Sequence, residues 1–241
     1  MDLQNKIIVI TGATGGIGRE IVKNLDEEGA RLVLVSKSEE ELKNLTNSLK
    51  NKESQYVSCN LADQKAAIKL GAFLSDKFKQ IDVLIHAAGI GVYKPIEDLT
   101  FDDWNDSINI NLNSPFILTK SVAGSLKTAK ESVVVSLGSG NGELPIPGRS
   151  AYCASKFGLR GWSLSMSEEF KGTNVDFCLM TLGSILTSFG PMSFEDKKRE
   201  MESGKGYLTP EFVAKKVVEI IKSDNREVEY KYYPSGYEAQ N

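Results

Sequence analysis

The chain has 241 residues, 41% hydrophobic and 25% charged, proportions that exclude disordered, collagen-like and membrane-spanning classes. Its 29 basic and 32 acidic residues nearly cancel to a net charge of −3, and no basic block marks a nucleic-acid face. A chain of this length commonly forms one α/β unit, so residues 1–241 are expected to be a single domain.

In chain order, residues 6–10 are a β-branched run ending at Thr11. A glycine-rich loop over 12–18 follows, then Ile17, Ile21, Val22 and Leu25 at helical spacing up to Gly29. Residues 31–35 predict a second strand, and a charged helix over 39–50 carries Leu42, Leu45 and Leu49. A third strand at 56–58, a helix over 62–78 and a fourth strand at 82–86 come next, closed by a turn at 87–91. A helix from Phe101 and a long one over 107–127 precede the fifth strand, 133–137. A helix carrying Tyr152 runs to Phe170; 174–180 is the sixth strand, 210–222 the last helix and 227–232 the seventh strand. Strands that are apolar throughout, alternating with helices, predict an α/β fold: a Rossmann-type doubly wound parallel sheet of about seven strands with helices on both faces.

The three cysteines, Cys59, Cys153 and Cys178, have no metal-like spacing and read as reduced thiols. The single histidine, His86, reads as a hydrogen-bonded side chain at a strand end, so no metal site is expected. The N-terminus lacks the layout of a signal peptide and no apolar run reaches the ~18 residues of a membrane span. A cytoplasmic protein is expected.

Tyr152 and Lys156 are four apart, one turn above each other on a helix. The same spacing is common on ordinary amphipathic helices, where a ring sits beside a snorkelling cation. A neighbouring ammonium nevertheless favours phenolate and pulls a phenol pKa of ~10 towards the range useful for acid–base work. Ser139 follows the fifth strand, where a hydroxyl can face that phenol.

The loop Thr11-Gly-Ala-Thr-Gly-Gly-Ile-Gly18 lies between the first strand and its helix, the place where backbone amides and a helix N-terminus receive a pyrophosphate. Its glycines at 12, 16 and 18 depart from the usual dinucleotide spacing, and no Gly-Lys-Ser/Thr makes it a P-loop. The second strand ends Val35-Ser36-Lys37, with no carboxylate for the adenosine ribose and a cation in its place. NADP(H) is therefore the expected preference, with NAD(H) possible, since Lys37 also reads as a solvated surface lysine.

With these motifs in order, residues 6–222 resemble the short-chain dehydrogenase/reductase family. Thr11–Gly18 is similar to the family's Thr-Gly-x-x-x-Gly-x-Gly loop, and Tyr152-Cys-Ala-Ser-Lys156 to its Tyr-x-x-x-Lys centre. The resemblance implies catalytic roles for Asn111, Ser139, Tyr152 and Lys156. It implies cofactor contacts from Gly12, Thr14, Gly16, Ile17, Gly18, Ser36, Lys37, Asn60, Leu61, Ala88, Gly89, Tyr152, Lys156, Gly183, Ile185 and Thr187. Asn60-Leu61 replaces the usual Asp beside adenine, His86-Ala-Ala-Gly89 replaces an Asn-led motif, and Leu182-Gly183 stands where Pro-Gly is usual.

Mechanistically the resemblance implies hydride transfer between nicotinamide and a carbonyl or alcohol. Tyr152 would exchange the proton, Ser139 would fix the oxygen, and Lys156 would lower the phenol pKa. Asn111 would hold a water leading to solvent. Substrate would meet Ser139, Tyr152 and Phe189, within loops 91–94, 141–149 and 188–208. The last loop, with Phe189, Pro191, Met192, Phe194 and Met201, reads as an apolar lid or as ordinary small-helix core. The expected activity is NADPH-dependent reduction of a ketone or aldehyde. The alternatives are an NAD-dependent alcohol dehydrogenase on the same scaffold and a non-catalytic dinucleotide-binding sensor. Expected partners are a small-molecule carbonyl or alcohol and a second copy of the chain, with neither nucleic acid nor membrane. The homodimer or homotetramer would form through 107–127 and 151–170, although the ending at 232–237 lacks the Asp-Gly-Gly of many relatives.

Overall fold

A computed structural model describes residues 1–235, so Gly236 and Tyr237 of that ending lie outside the described residues. Seven strands build one sheet: β1 (Ile7–Thr11), β2 (Arg31–Ser36), β3 (Gln55–Ser58), β4 (Val83–His86), β5 (Ser132–Leu137), β6 (Val175–Leu182) and β7 (Glu229–Tyr232). Their order is β3-β2-β1-β4-β5-β6-β7, and every pairing is parallel. The helices are α1 (Gly16–Glu27), α2 (Glu39–Ser48), α3 (Gln64–Lys77), α4 (Phe101–Ile108), α5 (Ser114–Thr128), α6 (Ser150–Glu169), α7 (Phe194–Glu202) and α8 (Pro210–Lys222).

Alternation along the strands divides the interior into two layers. Ile8, Ile10, Leu32 and Leu34 face one way, onto Ile21 and Leu25 of α1 and Val213 and Val217 of α8. Val9, Val33 and Val35 face the other, onto Leu70 and Leu74 of α3 and Leu118, Val122 and Leu126 of α5. Both faces are covered, which is why the strands read as unbroken apolar runs. Helix starts follow local chemistry: Ser38, Asp63, Ser193 and Thr209 cap α2, α3, α7 and α8, and Thr100 with Asp103 forms a capping box on α4.

The register places Thr11 beside His86 and His86 beside Ser136, so β1, β4 and β5 end at one level. The chain leaves β1 towards β2 on one side and β4 towards β5 on the other. That reversal opens a crevice at the carboxyl ends of the strands. Among the described residues no helix is long and apolar enough to cross a membrane.

The expected helix over 107–127 is interrupted. A π-helical turn, Asn109–Asn113, separates α4 from α5, and Ser114 N–H donates to the Asn109 carbonyl across it. His86 is the strand-end brace expected of it: Nε2 hydrogen-bonds Thr119 Oγ1 of α5 at 2.9 Å, and burial depresses its pKa to about 3, so the ring is neutral.

Candidate active site

The β1 side of the crevice is shaped by backbone. Gly12 has φ 69°, and a Cβ there would lie 2.7 Å from Ala88 Cα, so the first loop presses on the turn after β4. Ala88 N–H donates to Thr11 Oγ1 at 3.2 Å across the same junction. A Cβ on Gly18 would lie 2.0 Å from the Gly12 carbonyl oxygen, which seats the first turn of α1 on the loop. The N-cap of α1 is Gly15, which makes no side-chain hydrogen bond, and its first turn holds no acidic residue. Free amides and the positive end of the helix dipole therefore face the crevice beside Gly16, where a Cβ would approach only Thr187. A cradle of this kind fits a dinucleotide pyrophosphate.

At the end of β2, Ser36 Oγ and Thr14 Oγ1 are 2.6 Å apart. Lys37 is exposed beside them, with its carbonyl accepting from Ser58 Oγ. Arg19, which no motif marks, donates from Nε to the Thr14 carbonyl and from Nη2 to Glu41, both at 2.8 Å. Asn60 is exposed and Leu61 buried, and the amide oxygen of Asn60 accepts from Ala62 N–H. Gly183 answers a different need: its Cβ would lie 2.7 Å from Pro234, where the C-terminal segment packs. Ile185 bridges to Leu208 and packs on the α1/α8 core.

Across the crevice, α6 brings Tyr152 and Lys156 into the interior together. Ser139 lies beside the Tyr152 phenol and draws its pKa down, and Asn141 N–H donates to Ser139 Oγ at 3.1 Å. Burial, seconded by neighbouring Tyr93, raises the phenol pKa well above its usual value; Ser139 and Arg149 pull the other way. Lys156 does not supply the lowering expected of it. Its Nζ lies 5.8 Å from the Tyr152 ring centroid and donates to the Leu137 carbonyl at 2.9 Å. Desolvation brings its own pKa down to about 8. Both groups are held towards their neutral forms because the interior penalises either charge.

Asn111 is fully buried in the π turn. Its amide donates to the Ile90 carbonyl and to Ser155 Oγ, each at 2.9 Å, and its oxygen accepts from Ile90 N–H at 2.9 Å. Both N–H donors are spent on the protein, so the side chain clamps the loop after β4. Gly89 lies in that loop, where a Cβ would be 3.8 Å from Lys156 Nζ.

The crevice beside Tyr152 is walled by aromatic rings. Tyr93 packs edge-on against Tyr152 with centroids 5.5 Å apart, and Phe189 lies tilted against it at 5.9 Å. Arg149 stacks on Tyr93, its Cζ 4.4 Å from the ring centroid. Buried Lys197 of α7 donates from Nζ to the carbonyls of Thr187 at 2.8 Å and Phe189 at 2.5 Å, and desolvation lowers its pKa. One ammonium thus pins both Thr187, beside Gly16, and Phe189, beside Tyr152. Phe194 and Met201 remain largely exposed, so α7 covers the loop without being core. Tyr93, Arg149 and Lys197 fall within the loops 91–94, 141–149 and 188–208 expected to meet substrate, but were not singled out individually; Lys197 also shares a helical face with Phe194 and Met201.

Residues 6–198 match the family model described as short chain dehydrogenase. The chain belongs to the short-chain dehydrogenase/reductase family, a family of oxidoreductases. It is 28% identical over 195 residues to D-threitol dehydrogenase of Mycolicibacterium smegmatis, covering 80% of this chain and 75% of that protein. It is 32% identical over 192 residues to dehydrogenase/reductase SDR family member 7B of Mus musculus, where the match spans 77% of this chain and only 59% of that protein. Among solved structures, the alcohol dehydrogenase of the archaeon Thermococcus sibiricus complexed with 5-hydroxy-NADP superposes with a TM-score of 0.84. It is 25% identical and covers 99% of this chain and 100% of that one.

Proposed function

We propose that this chain is an NADPH-dependent oxidoreductase that reduces a ketone or aldehyde to an alcohol, with Tyr152 as the general acid. The observation that carries the reading is the Tyr152 phenol, buried beside Ser139 in a pocket that raises its pKa and keeps it protonated. A neutral phenol has a proton to give; a phenolate has none.

Gly12, Thr14, Gly16, Ile17 and Gly18 would hold the pyrophosphate, Ser36 and Lys37 the adenosine phosphate, and Ala88, Gly89, Ile185 and Thr187 the nicotinamide half. When bound there, the nicotinamide supplies the hydride chemistry. Tyr152 passes its proton to the carbonyl oxygen as negative charge develops on it, and the Ser139 hydroxyl steadies the same oxygen. Lys156, with a pKa of about 8, stands near neutrality and returns a proton towards the phenol between turnovers. Asn111 keeps the Ile90 backbone and Ser155 in place behind Lys156, a positioning role. The NADP analogue in the Thermococcus sibiricus relative supports the cofactor assignment. Self-association belongs to the same reading, supported by Phe116 of α5 and Phe157 of α6, which are 46% and 43% exposed.

Tyr152→Phe keeps the ring and removes the proton. Its kcat on a responsive carbonyl is expected to fall by ~10²- to 10⁴-fold, with NADPH affinity changed far less. Near wild-type turnover by this variant, measured as NADPH oxidation, would overturn the scheme.

A further inference from the structure

The two hydroxyls at the reaction point are joined on their outer side through one cation. Arg149 Nη1 donates to Asn141 Oδ1 at 3.4 Å, and Asn141 in turn donates to Ser139 Oγ. On the other side the guanidinium lies on the Tyr93 ring, whose edge contacts Tyr152. Ser139, Asn141, Arg149, Tyr93 and Tyr152 therefore form a closed rim, and Arg149 sits opposite the reacting hydroxyls.

Among the described residues no carboxylate pairs with this guanidinium. The acid on its own loop, Glu143, is taken by Lys231, Arg160 and Tyr233. The nearby cation Lys94 is neutralised by Asp103 at 2.6 Å. Arg149 carries five N–H donors, yet the described residues accept a single side-chain hydrogen bond from it. Stacking occupies the face of the group and Asn141 takes Nη1, which leaves the Nε–Nη2 edge without a hydrogen bond among the described residues. That edge suits a planar anion bidentately. Because the ring and Asn141 already fix the side chain, binding would cost little further ordering.

We propose that the substrate is a carbonyl compound carrying a carboxylate, an oxo acid whose anionic end is taken by Arg149 while its carbonyl lies between Ser139 and Tyr152. This inference rests on the reductase reading and names its substrate class. The rim also sets the spacing. The guanidinium lies on Tyr93, whose ring centroid is 5.5 Å from that of Tyr152, rather than on Tyr152 itself, so an acid whose carboxylate and carbonyl are set apart fits the rim better than a 2-oxo acid. An acid with several methylenes between the two groups spans the rim, and Phe189 and Tyr93 give those methylenes an apolar wall.

The experiment compares 5-oxohexanoate, its methyl ester and 2-oxohexanoate as substrates with NADPH, in wild type, Arg149→Gln and Arg149→Lys. Wild type is expected to prefer 5-oxohexanoate to the ester by ~10- to 100-fold in kcat/KM, mainly through KM. Arg149→Gln is expected to abolish that preference by lowering kcat/KM for the acid at least about tenfold more than for the ester, and Arg149→Lys to restore part of it. Equal kcat/KM for acid and ester in wild type would overturn the inference. So would an equal loss on both substrates in Arg149→Gln with a displaced pH profile, which would mean that the cation acts on Tyr152 instead. Should no carbonyl be reduced at all, the reductase reading fails, and titration calorimetry with NADP⁺ present decides the anion site separately. Hexanoate binding more tightly than hexanamide in wild type but not in Arg149→Gln supports it; equal affinities overturn it.

Discussion

On the β1 side of the crevice the chain makes room by leaving side chains out, with Gly12 against Ala88, Gly18 against the Gly12 carbonyl and Gly16 open to the crevice. On the β5 and β6 side it makes the site by bringing side chains in: Tyr93 and Phe189 against Tyr152, Arg149 on Tyr93, Lys197 across the Thr187 and Phe189 carbonyls. A site built by omission tolerates almost no substitution, because backbone cannot step aside. One built from side chains can be retuned residue by residue. That contrast matches a constant cofactor faced by a variable substrate.

The sharpest way to break the comparison is Gly18→Ala. The new methyl would overlap the Gly12 carbonyl, so stability is expected to fall by about 3 kcal/mol, roughly 8 °C in Tm for a chain of this size. NADPH affinity should drop more than tenfold. Calorimetry and fluorescence titration check both, and a wild-type Tm would mean that the loop is not packed as described.

An effect of similar size should appear as a pH dependence on the Tyr152 side. Lys156 titrates at about 8 in the fold against 10.5 ordinarily, so between those values the unfolded chain holds a proton that the folded chain has released. Stability attributable to this group therefore rises with pH from about 8 to 10.5 and is lost as pH falls, by about 3 kcal/mol in all. Denaturant unfolding of wild type and Lys156→Met across that range isolates the term. The difference between the two curves should slope; a flat difference would refute the buried, depressed ammonium.

Lys197→Met tests whether the two halves are joined through one side chain. The carbonyl substrate's KM is expected to rise about tenfold and the NADPH Kd a few-fold, with kcat within about threefold, and Lys197→Arg should recover most of the loss. A fall in Tm without the KM effect would reduce Lys197 to a structural part. Ser36→Asp, the smallest step, sets a carboxylate beside Thr14 where the adenosine phosphate is proposed to lie. NADPH affinity should weaken by about tenfold relative to NADH. An unchanged ratio would remove the cofactor preference from this end of β2.

By itself the sequence determined the sheet, its parallel arrangement, the glycine loop and the Tyr152, Lys156 and Ser139 set, because each is written in spacing within a short stretch. Apolar runs fix buried strands, glycines fix close approaches, and a separation of four fixes a shared helix face. Two helices were legible between 101 and 127, but the π turn at Asn109–Asn113 that joins them was not, since its residues have ordinary helical composition. Phe189 was legible as a neighbour of Tyr152, but only the tertiary structure set Tyr93 against that ring, Arg149 on Tyr93 and Lys197 behind Phe189, because these come from separate loops and one helix face. It also decided ionisation. A lysine one turn away promised a lowered phenol pKa, but burial and a turn of the Lys156 ammonium towards the Leu137 carbonyl outweighed that pairing. Desolvation depends on everything packed around a group, and no spacing along the chain encodes it.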